Sequence, residues 1–126
     1  GTIKSKRDYT FVADTVKAFE KCINNKKAIG KIINIGNNFE ISIKEIVQFI
    51  SKISKRKIEI NIDKKRLRPK KSEVMRLRSS NNLSKNLLKW KPVYGGKNGF
   101  KKALQKTFQW YEKNKNNSLN VTKYII

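Results

Sequence analysis

No histidine occurs in the 126 residues, and the single cysteine, Cys22, has no second thiol to pair with. The first absence removes the usual proton shuttle and the commonest metal ligand. The second leaves no disulfide framework and no thiolate cluster. Acids are scarce as well, nine against 31 Lys and Arg, and they are scattered along the chain. No Ser/His/Asp or Cys/His set, no Walker-type loop and no G-x-G-x-x-G can be assembled from these residues. No apolar run approaches the length that spans a bilayer, and no signal-peptide pattern opens the chain. Together the absences read as a cytoplasmic, soluble, metal-free chain with no catalytic constellation of its own.

What is abundant is lysine. The net charge is +22, and 25 of the 31 basic residues are Lys, with only six Arg. Isoleucine and asparagine are also heavily used, while alanine appears four times. Lys, Asn and Ile have the codons richest in A and T, so a low-GC genome produces this profile without selection for a polyanion partner. Recognition of bases and phosphates leans instead on the rigid fork of Arg. The charge still implies weak, salt-sensitive attraction to any polyanion. An apolar fraction of 37%, with six Phe, four Tyr and two Trp, is too high for a disordered tail, and the length suits one domain with a modest core.

Along the chain, Arg7–Phe11 reads as a short extended segment, followed by a helix with Asp14 as its N-cap and Val16, Phe19 and Ile23 on one face. "KIINIG", residues 31–36, suggests a buried strand. Ser42 and Glu45 form a capping box before a helix whose apolar face is Ile43, Ile46, Val47, Ile50 and Ile53. "KIEINID", residues 57–63, alternates strictly and reads as a half-buried strand, so residues 31–63 look like a βαβ unit with parallel pairing. "EVMRLRSS" is a short extended piece, Asn81–Leu88 a brief helix and "YGGKNGF" a turn. A last helix carries Phe100, Ala103, Leu104, Thr107, Phe108 and Tyr111 on its apolar face. Cys22, Trp90 and Trp110 read as packing residues. The implied fold class is α/β.

The chemistry that remains is anion binding. Arg7 stands at the start of the first extended segment. Arg68 precedes Pro69, which biases it away from helix and into an extended loop, "DKKRLRPKKSE". Two guanidinium groups from separate segments can clamp a diphosphate through charge-assisted bonds. By composition alone, the better reading of Arg68 is a member of a solvated basic loop.

"KRDYTFVADTVKAF", "GKIINIGNNFEISIKEI", "RPKKSEVMRL", "LLKWKP" and "GFKKALQKTFQWY" occur in the order and spacing of one family. They resemble the C-terminal part of the extended short-chain dehydrogenase/reductases, the NAD-dependent nucleotide-sugar epimerases and dehydratases, over residues 5 to 113. The "RPKKSEV" loop, the "YGGKNGF" turn and the tail with Tyr124 look most like the UDP-N-acetylglucosamine 4,6-dehydratases of the legionaminic acid type. The resemblance implies a small α/β substrate-binding lobe over residues 1–115 and a tail over 116–126, lacking most of a Rossmann domain. It also implies a UDP- or dTDP-sugar substrate, NAD bound by the absent half, and a homodimer in the complete enzyme. That half would carry the glycine-rich loop and a Tyr-x-x-x-Lys pair. Oxidation at C4, loss of water across C5 and C6 and return of hydride to C6 would all take place there. By the family's pattern Arg7 and Arg68 reach the diphosphate, Glu73 faces the nucleotide and Asp14 is a structural acid. The Tyr111-to-Lys115 spacing matches Tyr-x-x-x-Lys only by chance, since Tyr111 continues a core face. Departures are Ser80 where Asp is usual, Leu83 near a usual Lys, and Lys89 where Gly is usual. Two alternatives remain at this level: a basic nucleic-acid-binding module, or a non-catalytic remnant of the enzyme.

Overall fold

The computed structural model describes residues 2–23, 25–61, 63 and 72–114. Its central feature is a three-stranded sheet in the order β2-β1-β3. β1 (Lys6–Asp8) pairs antiparallel with β2 (Glu40–Ser42) and parallel with β3 (Arg76–Leu77). Among the described residues it is accompanied by four α-helices: α1 (Val12–Ile23), α2 (Ile43–Ser54), α3 (Asn82–Leu88) and α4 (Gly96–Asn114). The class is α/β, as the sequence implies.

α2 begins where its local chemistry says it should. The Glu45 N–H donates to Ser42 Oγ at 3.2 Å, and the Ser42 N–H donates back to Glu45 Oε2 at 3.0 Å. The Ser42 hydroxyl adds a 2.7 Å bond to the same carboxylate oxygen, which holds Glu45 below the usual glutamate range. α1 begins three residues before the expected point, at Val12, so Asp14 lies within the first turn and is not the N-cap. The carboxylate turns away from its own helix: the N–H groups of Val93 and Tyr94 donate to it at 2.8 and 3.0 Å. The Trp90 indole N–H donates to the Asp14 carbonyl at 3.0 Å. Asp14, 3% exposed, therefore fastens the segment between α3 and α4 onto α1.

The core gathers around two residues. Trp90 packs with Ala18 and Leu88, with Cys22, Ala28, Ile33 and Ile35 against them. Phe100 sits among Tyr9, Phe39 and Phe49, ring centroids 6.2–6.5 Å away.

Neither strand of the expected βαβ unit forms among the described residues. Ile33 and Ile35 do turn inward, yet no neighbouring strand pairs with residues 31–37 there. Residues 56–61 are likewise unpaired, with Ile58 and Ile60 exposed. Alternation specifies a pleated face, but a strand also needs a partner to take its N–H and C=O groups. Among the described residues the one parallel pair is β1 with β3. "YGGKNGF" is only half a turn, since α4 starts at Gly96; Gly99 lies so close to the Tyr94 backbone that a Cβ there would collide. Ser80 does not cap α3. Asn81 occupies the N-cap position, and its amide donates to the Gly36 carbonyl at 3.3 Å without bonding its own helix. Trp110 and Tyr111 are also not core residues, at 66% and 54% exposed; the buried residues of α4, Phe100 and Ala103, lie in its first half.

Candidate functional site

In a ladder, residues directly opposite share a face. Arg7 pairs with Ile41 on one side and Leu77 on the other, so one face of the sheet reads Ile41–Arg7–Leu77. The opposite face carries Lys6, Asp8, Glu40, Ser42 and Arg76.

On that opposite face the charges are committed to structure. The Asn37 and Ser79 N–H groups donate to the two carboxylate oxygens of Asp8 at 2.9 and 3.2 Å. Arg76 reaches across β1 to Glu40 at 2.6 Å. The Arg76 hydrogen bond is the main reason the Glu40 carboxyl is held below its usual range, and the same bond raises Arg76. Asn37, buried, connects three segments: its amide donates to the carbonyls of Tyr9 (3.3 Å) and Tyr94 (3.4 Å), and its oxygen accepts from Gly96 N–H (2.9 Å). These contacts fix the sheet relative to α1 and α4.

On the first face Arg7 is held differently. Its Nη1 donates to the carbonyl of its own neighbour Lys6 at 2.8 Å. Its Nη2 faces Glu73 Oε1 at 3.9 Å. The two side chains are 27% and 13% exposed. Two of the three residues expected to bind substrate are thus brought together from segments 66 positions apart. Arg68 lies outside the described residues, as do Lys115, Tyr124 and the 116–126 tail. A planar cation with several donors still available, on a half-buried sheet face, can take an oxyanion bidentately. Among the described residues no group of three His, Cys, Asp or Glu could hold a metal ion.

Sequence reasoning missed Asn37 and Asn81 as organising residues. Asn37 follows Gly36, where a Cβ would collide with Ser79. A glycine followed by a polar pair is a weak signal beside the many other asparagines of this chain.

This fold and this face define a small α/β unit that presents an arginine from the middle strand of its sheet. The chain belongs to the GDP-mannose 4,6 dehydratase family, whose model matches residues 1–103. A mouse dTDP-D-glucose 4,6-dehydratase is 33% identical over 99% of this chain and 34% of its own length. Among solved structures, an epimerase from Methanothermobacter thermautotrophicus is similar with a TM-score of 0.80 and 26% identity, over 93% of this chain and 33% of that one. The dTDP-glucose 4,6-dehydratase from Bacillus anthracis, solved with NAD, aligns with a TM-score of 0.74 and 29% identity, over 92% of this chain and 34% of that one. The chain therefore spans about a third of the length of its relatives, and its fold matches their C-terminal portion.

Proposed function

We propose that this chain is the substrate-binding portion of an NAD-dependent nucleotide-sugar 4,6-dehydratase or epimerase, holding the diphosphate and nucleotide of a UDP- or dTDP-sugar. The observation that carries the reading is Arg7, whose guanidinium is oriented by its own strand on a half-buried face and has donors to spare. Arg68 supplies the second guanidinium. Family membership and the two dehydratase relatives support the reaction class.

No glycine-rich strand–helix turn occurs in the sequence, so no NAD-binding residue is assigned to this chain. The cofactor and the acid–base groups belong to the remaining two thirds of the protein. This portion positions: it fixes the diphosphate and nucleotide so that the sugar is presented to that remainder in one orientation. The "RPKKSEV" loop favours a UDP-N-acetylglucosamine 4,6-dehydratase of the legionaminic acid type. The complete enzyme would be a cytoplasmic homodimer.

In the complete protein, Arg7→Ala and Arg68→Ala should each weaken UDP-sugar binding about tenfold or more, the scale of a lost charge-assisted bond. Calorimetric titration with UDP-N-acetylglucosamine measures this, and unchanged affinity in both variants rejects the site.

A further inference from the structure

We infer that Asp8 is a positioning residue for the nucleotide-sugar site: its carboxylate sets the register of β3 against β1, and with it the spacing between Arg7 and the segment through Arg68 and Glu73. This rests on the reading of Arg7 as a diphosphate-binding residue and deepens it.

The ladder alone holds that register weakly. β1 and β3 meet in two residue pairs, Lys6 with Arg76 and Arg7 with Leu77, and the Lys6 N–H donates to the Met75 carbonyl at 2.8 Å. β3 lies at the edge of the sheet, so among the described residues no strand on its far side opposes a slip. Burial of one face normally fixes register, but Leu77 is 61% exposed and Arg76 is exposed as well. Arg76 does tie β3 to Glu40, through a long, solvent-exposed side chain that can follow a shift of the strand.

Asp8 supplies the fixed point. Its backbone is held in register by β2, opposite Glu40. Its carboxylate then takes over where the β1–β3 pairing stops. Oδ2 accepts from the Ser79 N–H at 3.2 Å, two residues beyond β3, and Oδ1 accepts from the Asn37 N–H at 2.9 Å. The second arm is itself anchored, since the buried Asn37 side chain bonds the backbone of Tyr9, Tyr94 and Gly96. Gly36 closes on Ser79 from the other side, so tightly that a Cβ there would collide with it. Ser79 is therefore seated between β1 and residues 36–37, and the strand that precedes it cannot slide.

The consequence falls on the binding face. Glu73 stands three residues before Arg76, and Arg68 precedes it on the same stretch of chain. A slip of one residue would carry that stretch about 3.3 Å along β1. Arg7 would not follow, because its guanidinium is bonded to the Lys6 carbonyl of its own strand. A ligand that must meet both sides at once loses its fit, whereas a small anion settles on whichever guanidinium is free.

The test uses the complete protein with Asp8→Asn and, separately, Gly36→Ala. The first keeps the shape of the side chain but turns an NH2 group toward one of the two N–H donors. The second leaves the carboxylate intact and pushes Ser79 away. Each is titrated calorimetrically with UDP and with inorganic pyrophosphate, alongside Arg7→Ala. UDP affinity should fall about fivefold in both variants, the scale of one weakened charge-assisted bond, while pyrophosphate, which has no nucleoside to place, changes less than about twofold. Unchanged UDP binding in both variants overturns the positioning role. So do equal losses for the two ligands, which would mean general damage to the fold. Arg7→Ala binding both ligands normally would instead sink the site reading on which this inference rests.

Discussion

At the scale of single residues, the acids of this chain work as fasteners. Asp14 is the clearest case, buried and accepting from the N–H groups of Val93 and Tyr94. Asp14→Ala leaves both part-buried donors without their acceptor and should cost about 2–4 kcal/mol, at ~1–2 kcal/mol for each unpaired N–H group. Urea unfolding of the purified chain measures this, and a loss under 1 kcal/mol would mean the segment is held elsewhere. Lys89 makes the opposite point. It closes α3 in the left-handed region at φ 51°, with the Trp90 N–H donating to the Ser84 carbonyl at 3.3 Å. A side chain there is strained, and glycine is the residue the geometry prefers. Lys89→Gly should raise stability by about 0.5–1 kcal/mol in the same assay. The departure noted in sequence, lysine where the family usually has glycine, is thus a small, repairable cost.

At the scale of elements, the capping box gives α2 a pH dependence whose sign is fixed. The Ser42 hydroxyl and N–H bond the ionised Glu45 side chain and lower its affinity for protons relative to the unfolded chain. A depressed carboxylate contributes stability above the unfolded value, about 4.3, and loses it as pH falls through the lower folded value. Glu45→Gln should therefore be less stable than the parent at pH 7, and the difference should shrink in thermal melts taken stepwise down to pH 3. An equal gap at both ends would mean the box contributes through packing alone. The same element shows what the sequence can reveal. Ser42, Glu45 and the period of Ile43 to Ile53 are all local, so α2 was readable to the residue. "KIINIG" and "KIEINID" alternate as strands do, but pairing is set by a neighbour the local pattern does not name, and neither found one among the described residues. β1 was foreseen only as an extended piece, because its partners lie about 35 and 70 positions away. The site was legible in a different way. Arg7 could be singled out as an anion ligand from its setting, but Glu73 came only from the family's pattern. That the two face each other needed the fold.

At the scale of the whole molecule, α1 has two apolar sides. Ala18 and Cys22 face inward to Trp90. On the other side, Val12, Val16, Phe19 and Ile23 are spaced 4, 3 and 4 residues apart and lie 50–83% exposed. Ile29 and Ile32, in the chain that follows, are exposed as well. A helix apolar on both sides belongs between two layers, and the described residues supply one of them. Relatives three times as long supply the natural candidate for the second layer, the remaining part of the same protein. A paired substitution separates this from incidental exposure. Phe19→Lys in the chain of residues 1–126 alone should leave unfolding stability within about 0.5 kcal/mol, as expected for a surface site. It should also reduce self-association measured by light scattering, since it divides the apolar stripe. In the complete protein the same substitution would bury an unpaired ammonium against the second layer, costing about 2–4 kcal/mol or preventing assembly. Equal, small effects in both proteins would show that the stripe faces solvent throughout, and the second layer would have to be sought on another surface.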